Sequence, residues 1–146
     1  MSSAPPLRIL LVDDDPNFRE LLALLLRADV GADIVGHACD GAIGVQLAAE
    51  LEPDFVVMDL GMPTIDGFEA TRRIVASAHE ARVIVVSSSS EQDDVARAAE
   101  AGATAYVSKD RAVDELAGEI ERLAQPARVT GRRPLRLFFA RRLVLG

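Results

Sequence analysis

The chain contains one cysteine, Cys39, among its 146 residues, which excludes an internal disulfide. Such scarcity of thiols is typical of a reducing compartment. No apolar stretch approaches the roughly 18 residues that suggest a membrane span. Residues 1–6 have neither the basic start nor the apolar segment of a signal peptide. We therefore expect a cytoplasmic protein that does not associate with membranes.

Several cofactor motifs are also absent from the sequence. No G-x-G-x-x-G or G-x-x-x-x-G-K-[ST] segment occurs, so flavin and dinucleotide binding lack support. The histidines and the single cysteine form no cluster of the kind that binds zinc. Any metal site in this chain is therefore expected to use oxygen ligands.

Basic residues are few and unevenly distributed. Arginine and lysine number 16 against 23 acids, giving a net charge of −7, and Lys109 is the only lysine. Residues 126–146 carry six arginines and no acid, which leaves residues 1–125 at a net charge of −13. An acidic body of this strength argues against direct binding of nucleic acid by the body itself.

The sequence does contain a regular alternation of short apolar runs with helical patterns. Strands are predicted at residues 7–12, 33–37, 55–59, 83–86 and 104–107. Helices are predicted at 16–28 and 111–124, and in three segments that end near residues 51, 77 and 101. Strict alternation of five strands with five helices predicts an α/β fold with an open, doubly wound parallel sheet.

Local signals predict how some of the helices begin, end and pack. N-caps are predicted at Asp15 (followed by Pro16), at Ser90 in a capping box with Asp93, and at Asp110, and Gly102 is predicted to end the fourth helix. In the first helix the apolar spacing predicts a core-facing set of Phe18, Leu21, Leu22 and Leu25.

Chemically capable side chains stand where four of the predicted strands end. They are Asp13 and Asp14 after the first strand, Asp59 after the third, Ser87 after the fourth and Lys109 after the fifth. Ligands of doubly wound sheets bind beyond the carboxyl ends of the strands, so these side chains are expected to converge there.

The chemistry of this set points to a divalent cation and a phosphoryl group. Two carboxylates about 5 Å apart repel by roughly 3 kcal/mol at an effective dielectric constant of about 20. Crowded acids therefore need a cation or a shifted pKa, and oxygen ligands favour Mg²⁺. An aspartate oxygen can then act as a nucleophile on phosphorus. Taken alone, residues 13–15 are also explained as a helix cap, and Lys109 is also explained as a solvated surface charge. The joint placement of these residues at separate strand ends favours the phosphoryl site.

Four segments carry a resemblance to a known family. They are L-V-D-D-D at 11–15, V-M-D-L-G-M-P at 57–63, V-V-S-S at 85–88 and A-T-A-Y-V-S-K at 103–109, together with Gly67 and residues 101–103. Over residues 7–125 the chain resembles receiver domains of two-component response regulators. Residues 102–110 look most like the subfamily usually joined to LuxR-type helix-turn-helix output domains. The resemblance implies a flavodoxin-like five-stranded sheet with strand order 2-1-3-4-5.

The resemblance also implies a role for each matching residue. Asp59 matches the phosphoacceptor. Asp14 matches a direct Mg²⁺ ligand, Asp13 a ligand that acts through water, and the Gly61 main-chain carbonyl a further ligand. Lys109 matches the ammonium group that pairs with the phosphoryl group, Ser87 with Ser88 matches the switch hydroxyl region, and Tyr106 matches the aromatic switch. Tyr106 has a plainer explanation as a half-buried strand aromatic. Such a protein is a signalling switch, expected to phosphorylate itself from small phosphodonors and to hydrolyse its acyl phosphate slowly.

Partners and boundaries follow from the same resemblance. The implied phosphodonor is a sensor histidine kinase or a phosphotransfer protein. An output protein or a homodimer is expected on the face of the fourth helix, fifth strand and fifth helix, around residues 91–101 and 106–123. We expect residues 1–6 to be an extension, 7–125 the receiver, and 126–146 a linker stub or a docking segment.

Two other functions remain open at this point. The chain can be the regulatory part of a LuxR-type DNA-binding transcriptional regulator whose output domain is missing. It can also be a pseudo-receiver that interacts without ever taking phosphate, although the intact acids, hydroxyl and lysine argue against this. A dehalogenase-type phosphatase would need a second acid where this chain has Gly61.

Two small residues flank the expected phosphoryl position. Gly61 lies two residues after Asp59, and Ser89 lies two residues after Ser87. We hypothesise that water reaches the acyl phosphate easily and that its hydrolysis is fairly quick for a domain of this kind. Ser87 keeps the hydroxyl of the threonine also common there but drops a methyl group, which is expected to loosen the switch.

Overall fold

The computed structural model describes residues 5–77, 80–89 and 91–125. The expectations for the basic tail 126–146 and for Ser90 as a helix cap lie outside these residues. The strands are β1 (Arg8–Val12), β2 (Asp33–Ala38), β3 (Phe55–Met58), β4 (Arg82–Ser87) and β5 (Ala105–Ser108). The helices are α1 (Pro16–Val30), α2 (Gly41–Leu51), α3 (Gly67–Ser77), α4 (Gln92–Ala101) and α5 (Lys109–Ala124).

The five strands form one parallel sheet in the order β2-β1-β3-β4-β5. In the central pairs, Val12 lies beside Met58, and Met58 beside Val85. Ser87 lies beside Ser108 at the end of the outer pair. The predicted α/β class, the parallel sheet and its strand order are confirmed. Strands β1 and β3 end together, and β4 and β5 end together two residues further along. The residues that follow these parallel strands therefore lie at one edge of the sheet.

Two apolar layers hold the sheet, one on each face. One cluster packs β-strand residues against the side chains of α1 and α5, and includes Phe55, Leu22 and Leu116. The other packs the opposite face against α2, α3 and α4, and includes Met58, Phe68 and Val95. Strands buried on both faces explain the near-continuous apolar runs of the sequence.

Two of the predicted helix ends are found and one is not. Asp15 caps α1 by accepting the main-chain N–H groups of Asn17 and Phe18, and Gly102 ends α4 with a left-handed backbone. The predicted cap at Asp110 is wrong, because α5 already begins at Lys109 after Ser108. The N-cap position of α4 is Glu91, without a side-chain capping bond.

The predicted core face of α1 is partly wrong. Leu22 is buried, and Phe18 packs at the edge of the core, but Leu21 is 42% exposed. Ala23 and Leu26 are buried in its place. Because leucines surround much of this helix, apolar spacing alone leaves its rotation undetermined.

The amino ends of the strands are fastened to helix ends at the opposite edge. Arg8 donates to the carbonyl oxygens of Leu51 and Glu52 at 2.7 and 2.9 Å. Arg82 donates to the carbonyl of Leu123 at 2.6 Å. Cations at helix C-termini satisfy unpaired carbonyls and complement the helix dipole. Among the described residues, no helix is both long and apolar enough to cross a bilayer.

Candidate functional site

Three carboxylates meet at the carboxyl edge of β1 and β3. Asp13 and Asp59 are buried, whereas Asp14 is exposed. Each of the three offers a carboxylate oxygen, and these oxygens all lie within 4.8 Å of one another. The main-chain N–H of Asp59 donates to the carbonyl of Val12 at 2.9 Å, which ties the end of β3 to the end of β1.

The ammonium group of Lys109 completes this acidic cluster. Its Nζ atom lies 3.0 Å from Asp13 Oδ2 and 3.5 Å from Asp59 Oδ1. It also lies 4.8 Å from the centroid of the Phe18 ring, in reach of a cation–π contact. Burial opposes the charge of Lys109, but its hydrogen bond to Asp13 and the charge of Asp59 prevail and raise its pKa.

The same crowding favours the charged form of Lys109 but disfavours the charged form of Asp59. Burial, followed by the negative charge of Asp13, raises the pKa of the Asp59 carboxyl to about 6. Asp14 adds to this effect, while Lys109 and a main-chain hydrogen bond from Leu60 oppose it. One ammonium group therefore does not compensate the carboxylates gathered here.

The residual negative charge and the donor set fit a divalent cation. All candidate ligands are oxygens, and Mg²⁺ binds one or two carboxylates together with waters and phosphate oxygens. The described part of the chain thus supplies a set of acids that could hold a metal ion, with Asp13, Asp14 and Asp59 as its side-chain ligands.

Gly61, in the loop after β3, and Gly67, the first residue of α3, have different roles. A Cβ atom added to Gly67 would lie 2.1 Å from the carbonyl oxygen of Asp59, so only glycine fits there. Gly67 also donates its N–H to the carbonyl of Leu60 at 2.9 Å. Gly61, by contrast, is exposed and has nothing within 4 Å of such an added atom. Gly67 is therefore required by packing, and Gly61 leaves open space beside the carboxylates.

Hydrogen bonds connect Ser87, at the end of β4, and Tyr106 of β5 to Ser89 in the loop before α4. Ser87 is buried, and its Oγ accepts the main-chain N–H of Ser89 at 3.1 Å. The hydroxyl of Tyr106 donates to the carbonyl of Ser89 at 2.7 Å. Burial raises the pKa of this phenol, and its hydrogen bonds with Ser87 and Ser89 oppose the rise. Ser88 lies exposed at the same edge.

Tyr106 points inward in this structure. It is 2% exposed rather than half-buried, so its hydroxyl is held within the fold at the β4–α4 loop. Asp13, Asp14, Asp59 and Lys109 meet in one cluster, as the sequence predicted.

Sequence reasoning missed one residue that contacts this cluster. Arg19, in α1, donates from Nη1 to the main-chain carbonyl of Asp13 at 2.5 Å and from Nε to His37 Nδ1 at 3.3 Å. Its spacing was the available signal, since it lies four residues after the Asp15 cap and can reach back over the loop.

A family described as "Response regulator receiver domain" matches residues 9–121. The chain is a member of this receiver domain family. The resemblance found in the sequence is therefore confirmed, as is the fold that it implied.

The chain is similar to part of a transcriptional regulatory protein and to part of a methylesterase. It is 40% identical over 114 residues to the transcriptional regulatory protein LiaR of Bacillus subtilis, covering 78% of this chain and 54% of LiaR. It is 40% identical over 126 residues to protein-glutamate methylesterase/protein-glutamine glutaminase 5 of Myxococcus xanthus, covering 82% and 36%. The chain thus spans about half or less of the length of these curated relatives.

A solved structure supports the same assignment. A LuxR-family two-component response regulator from Aurantimonas has 35% sequence identity and a TM-score of 0.78, with 96% of this chain and 99% of that chain covered. The likeness to this LuxR-family regulator is thus seen in sequence and in structure.

Proposed function

We propose that this receiver domain takes a phosphoryl group on Asp59 from a histidine kinase or a phosphotransfer protein. One carboxylate oxygen of Asp59 would attack phosphorus, while the bond from phosphorus to the donor breaks and its electron pair leaves with the donor. The observation that carries this proposal is the convergence of Asp13, Asp14 and Asp59 with the Lys109 ammonium at the ends of separate strands.

The surrounding residues would share the remaining tasks. Lys109, already 3.5 Å from Asp59 Oδ1, would pair with the incoming phosphoryl oxygens. Ser87, with Ser88 beside it, would donate a hydrogen bond to the phosphoryl group. Because Ser87 Oγ now accepts the Ser89 N–H, this reorientation would disturb the β4–α4 loop that Tyr106 also holds.

Magnesium is the proposed cofactor. Asp13, Asp14, Asp59 and the Gly61 carbonyl would hold the ion, with Asp13 acting through water. When bound, Mg²⁺ would neutralise negative charge on the carboxylates and on the phosphoryl oxygens. The raised pKa of Asp59 supports this need for a cation.

The output would pass through protein contacts on the α4–β5–α5 face. Tyr106 lies in β5 beneath this face, and its hydroxyl bond to Ser89 connects the face to the phosphorylation edge. A downstream protein or a second copy would bind there. We propose a cytoplasmic location, with residues 7–125 as the switch and no direct nucleic-acid contact from them.

A second candidate is the regulatory part of a LuxR-type transcriptional regulator. The similarity to LiaR, a transcriptional regulatory protein about half covered by this chain, favours it. Detection of specific promoter binding by the natural gene product would support this candidate. The same Asp59 chemistry would then control an output domain rather than a separate protein.

Phosphorylation with acetyl phosphate and Mg²⁺ tests the main proposal. Intact mass should show the gain of one phosphoryl group for wild type and none for Asp59→Asn. Asp33→Asn is a matched control, because Asp33 begins β2 at the opposite edge of the sheet. No mass gain in wild type would favour the pseudo-receiver. Equal mass gain in Asp59→Asn would overturn the proposal differently, because the phosphoryl group would then lie on another residue.

The open space beside Gly61 bears on how long the phosphoryl group survives. Nothing lies within 4 Å of a Cβ atom added there, so water has room near Asp59. Replacing Gly61 with arginine should slow loss of the phosphoryl group, measured by mass after removal of donor. An unchanged rate of loss would refute the water-access hypothesis.

A further inference from the structure

Arg19 connects the acidic loop to two neighbouring elements. Its guanidinium extends from the first turn of α1 to the main-chain carbonyl of Asp13, and it also donates to His37 on β2. None of the ion pairs among residues 5–77, 80–89 and 91–125 involves Arg19. Its contact with the cluster is therefore made to the backbone and leaves the carboxylates available.

The hydrogen bond from Arg19 completes the set of contacts that hold Asp13 in place. The Asp13 N–H donates to the carbonyl of Ala38 at 3.0 Å. The carboxylate accepts the N–H of Asp15 at 2.8 Å and pairs with Lys109 at 3.0 Å. With Arg19 on its carbonyl, Asp13 is held at every polar group that it has.

The side chain of Asp14, the next residue, is not held by hydrogen bonds in this way. Within the described part of the chain, no group donates a hydrogen bond to the exposed Asp14 carboxylate. Its direction therefore depends on the backbone before it, which begins with the Asp13–Asp14 peptide. Arg19 fixes the carbonyl of that same peptide.

His37 holds the other side of the guanidinium. Its Nδ1 accepts from Arg19 Nε, which requires an unprotonated Nδ1. Burial, followed by the charges of Arg19 and Arg27, lowers the pKa of His37 and favours this neutral form, while Glu20 opposes it. His37 thus orients Arg19 toward the loop instead of toward solvent.

We propose that Arg19 is a positioning residue which, anchored by His37, holds the Asp13–Asp14 peptide so that the Asp14 carboxylate is preset for cation binding. This inference rests on the proposed function, because it assumes that the acidic cluster binds Mg²⁺. Residues outside the direct ligands that orient them commonly change metal affinity by about 10- to 100-fold.

Magnesium titration of the full chain, followed by amide NMR shifts, tests the proposal. We expect Arg19→Gln to weaken the apparent affinity by about tenfold. Arg19→Lys should weaken it to a similar degree, because a compact ammonium group lacks the rigid fork by which the guanidinium donates from Nη1 to Asp13 and from Nε to His37. Arg27→Gln is the matched control, since it removes the same charge from the same helix and should change the affinity by less than about twofold.

Variants at His37 separate its role as acceptor from its size. His37→Asn keeps an acceptor near the position of Nδ1 and should stay close to wild type. His37→Leu removes the acceptor and should lose affinity in the same direction as Arg19→Gln. Both changes leave the proposed ligands untouched, and thermal unfolding in EDTA verifies that each variant is folded.

A second readout needs no metal. The Asp15 amide donates to Asp13 Oδ1, so its hydrogen exchange in EDTA reports the order of the loop. Exchange should be faster in Arg19→Gln and unchanged in Arg27→Gln. Faster exchange with unchanged folding supports a positioning role even where the affinity loss is small.

The possible failures are distinguishable. If Mg²⁺ affinity were lost in Arg19→Gln but kept in Arg19→Lys, the positioning role would be overturned. The positive charge of residue 19 alone would then explain the loss. Equal effects of Arg19→Gln and Arg27→Gln on affinity and exchange would also overturn it. If wild type bound no Mg²⁺ and took no phosphoryl group, the proposed function would fail, and this inference with it.

Discussion

At the residue scale, the environment of Asp59 makes its charged form unfavourable in the folded protein. Burial and the carboxylate of Asp13 raise its pKa from 3.8 to about 6. In the unfolded chain this carboxyl is exposed and ionises at its ordinary pKa. The folded state therefore binds the proton more tightly, and the cost of ionising Asp59 is complete only above about pH 6.

This linkage predicts a pH-dependent gain in stability for Asp59→Asn. In EDTA at pH 8 the variant should be more stable than wild type by about 1–3 kcal/mol, because each pKa unit corresponds to about 1.4 kcal/mol. The gain should shrink as the pH falls through 6 and vanish only about one pH unit below the ordinary pKa of 3.8, where wild type is protonated in both states. Urea denaturation at several pH values measures it. A gain that is constant over this range would contradict the linkage, and Asp33→Asn should show none.

The two glycines after β3 provide a matched pair of substitutions. Gly67→Ala should destabilise the protein by about 1–3 kcal/mol or more, because the added Cβ would overlap the Asp59 carbonyl. Gly61→Ala should stay within about 0.5 kcal/mol, since its Cβ meets nothing. Denaturant midpoints by circular dichroism compare them. Equal stability of the two variants would mean that the close approach at Gly67 is relaxed without cost.

At the element scale, Tyr106 of β5 holds the β4–α4 loop through one hydroxyl. Tyr106→Phe removes the 2.7 Å hydrogen bond to the Ser89 carbonyl and leaves the ring in place. The expected loss of stability is about 0.5–1.5 kcal/mol. Hydrogen exchange at the Ser89 and Glu91 amides, both of which donate within this loop, should become faster. Ser88→Ala, at an exposed neighbour, is the control, and identical exchange in both variants would exclude the anchor.

The sequence alone predicted some of the strands and helix ends and misplaced others. Strands were predictable because runs such as 55–58 are buried on both faces, and the acid that follows such a run must lie at the sheet edge. The Asp15 cap was predictable because its side chain acts within three residues. The start of α5 was misplaced by two residues, since the polar residue before Lys109 gives no side-chain capping bond.

Contacts between distant elements could not be predicted in this way. Arg19 and His37 are 18 residues apart, and Arg19 lies on a helix instead of at a strand end. Their meeting depends on the rotation of α1 about its own axis. That rotation was also missed for Leu21, because a helix rich in leucine offers more than one apolar stripe to the sheet.

At the scale of the whole molecule, the site exists because strand ends from one sheet share an edge. The acids follow β1 and β3, the serine ends β4, and the lysine begins α5 directly after β5. No single element contains the site, so its geometry depends on the complete fold. A ligand that binds this geometry therefore stabilises the folded state as a unit.

Magnesium should accordingly raise the unfolding free energy of the whole protein. At a concentration about 100 times its dissociation constant, a cation that binds only the folded state adds about 2.7 kcal/mol. Because residues 1–125 carry a net charge of −13, any salt relieves some repulsion, so NaCl of equal ionic strength is the necessary comparison. Thermal unfolding at pH 8 should show a larger rise in melting temperature with Mg²⁺ than with NaCl. This excess should be smaller below pH 6, where Asp59 is protonated. Asp14→Asn should lose most of the excess. An equal rise with both salts would mean that the acidic cluster responds to ionic strength and holds no ion of its own.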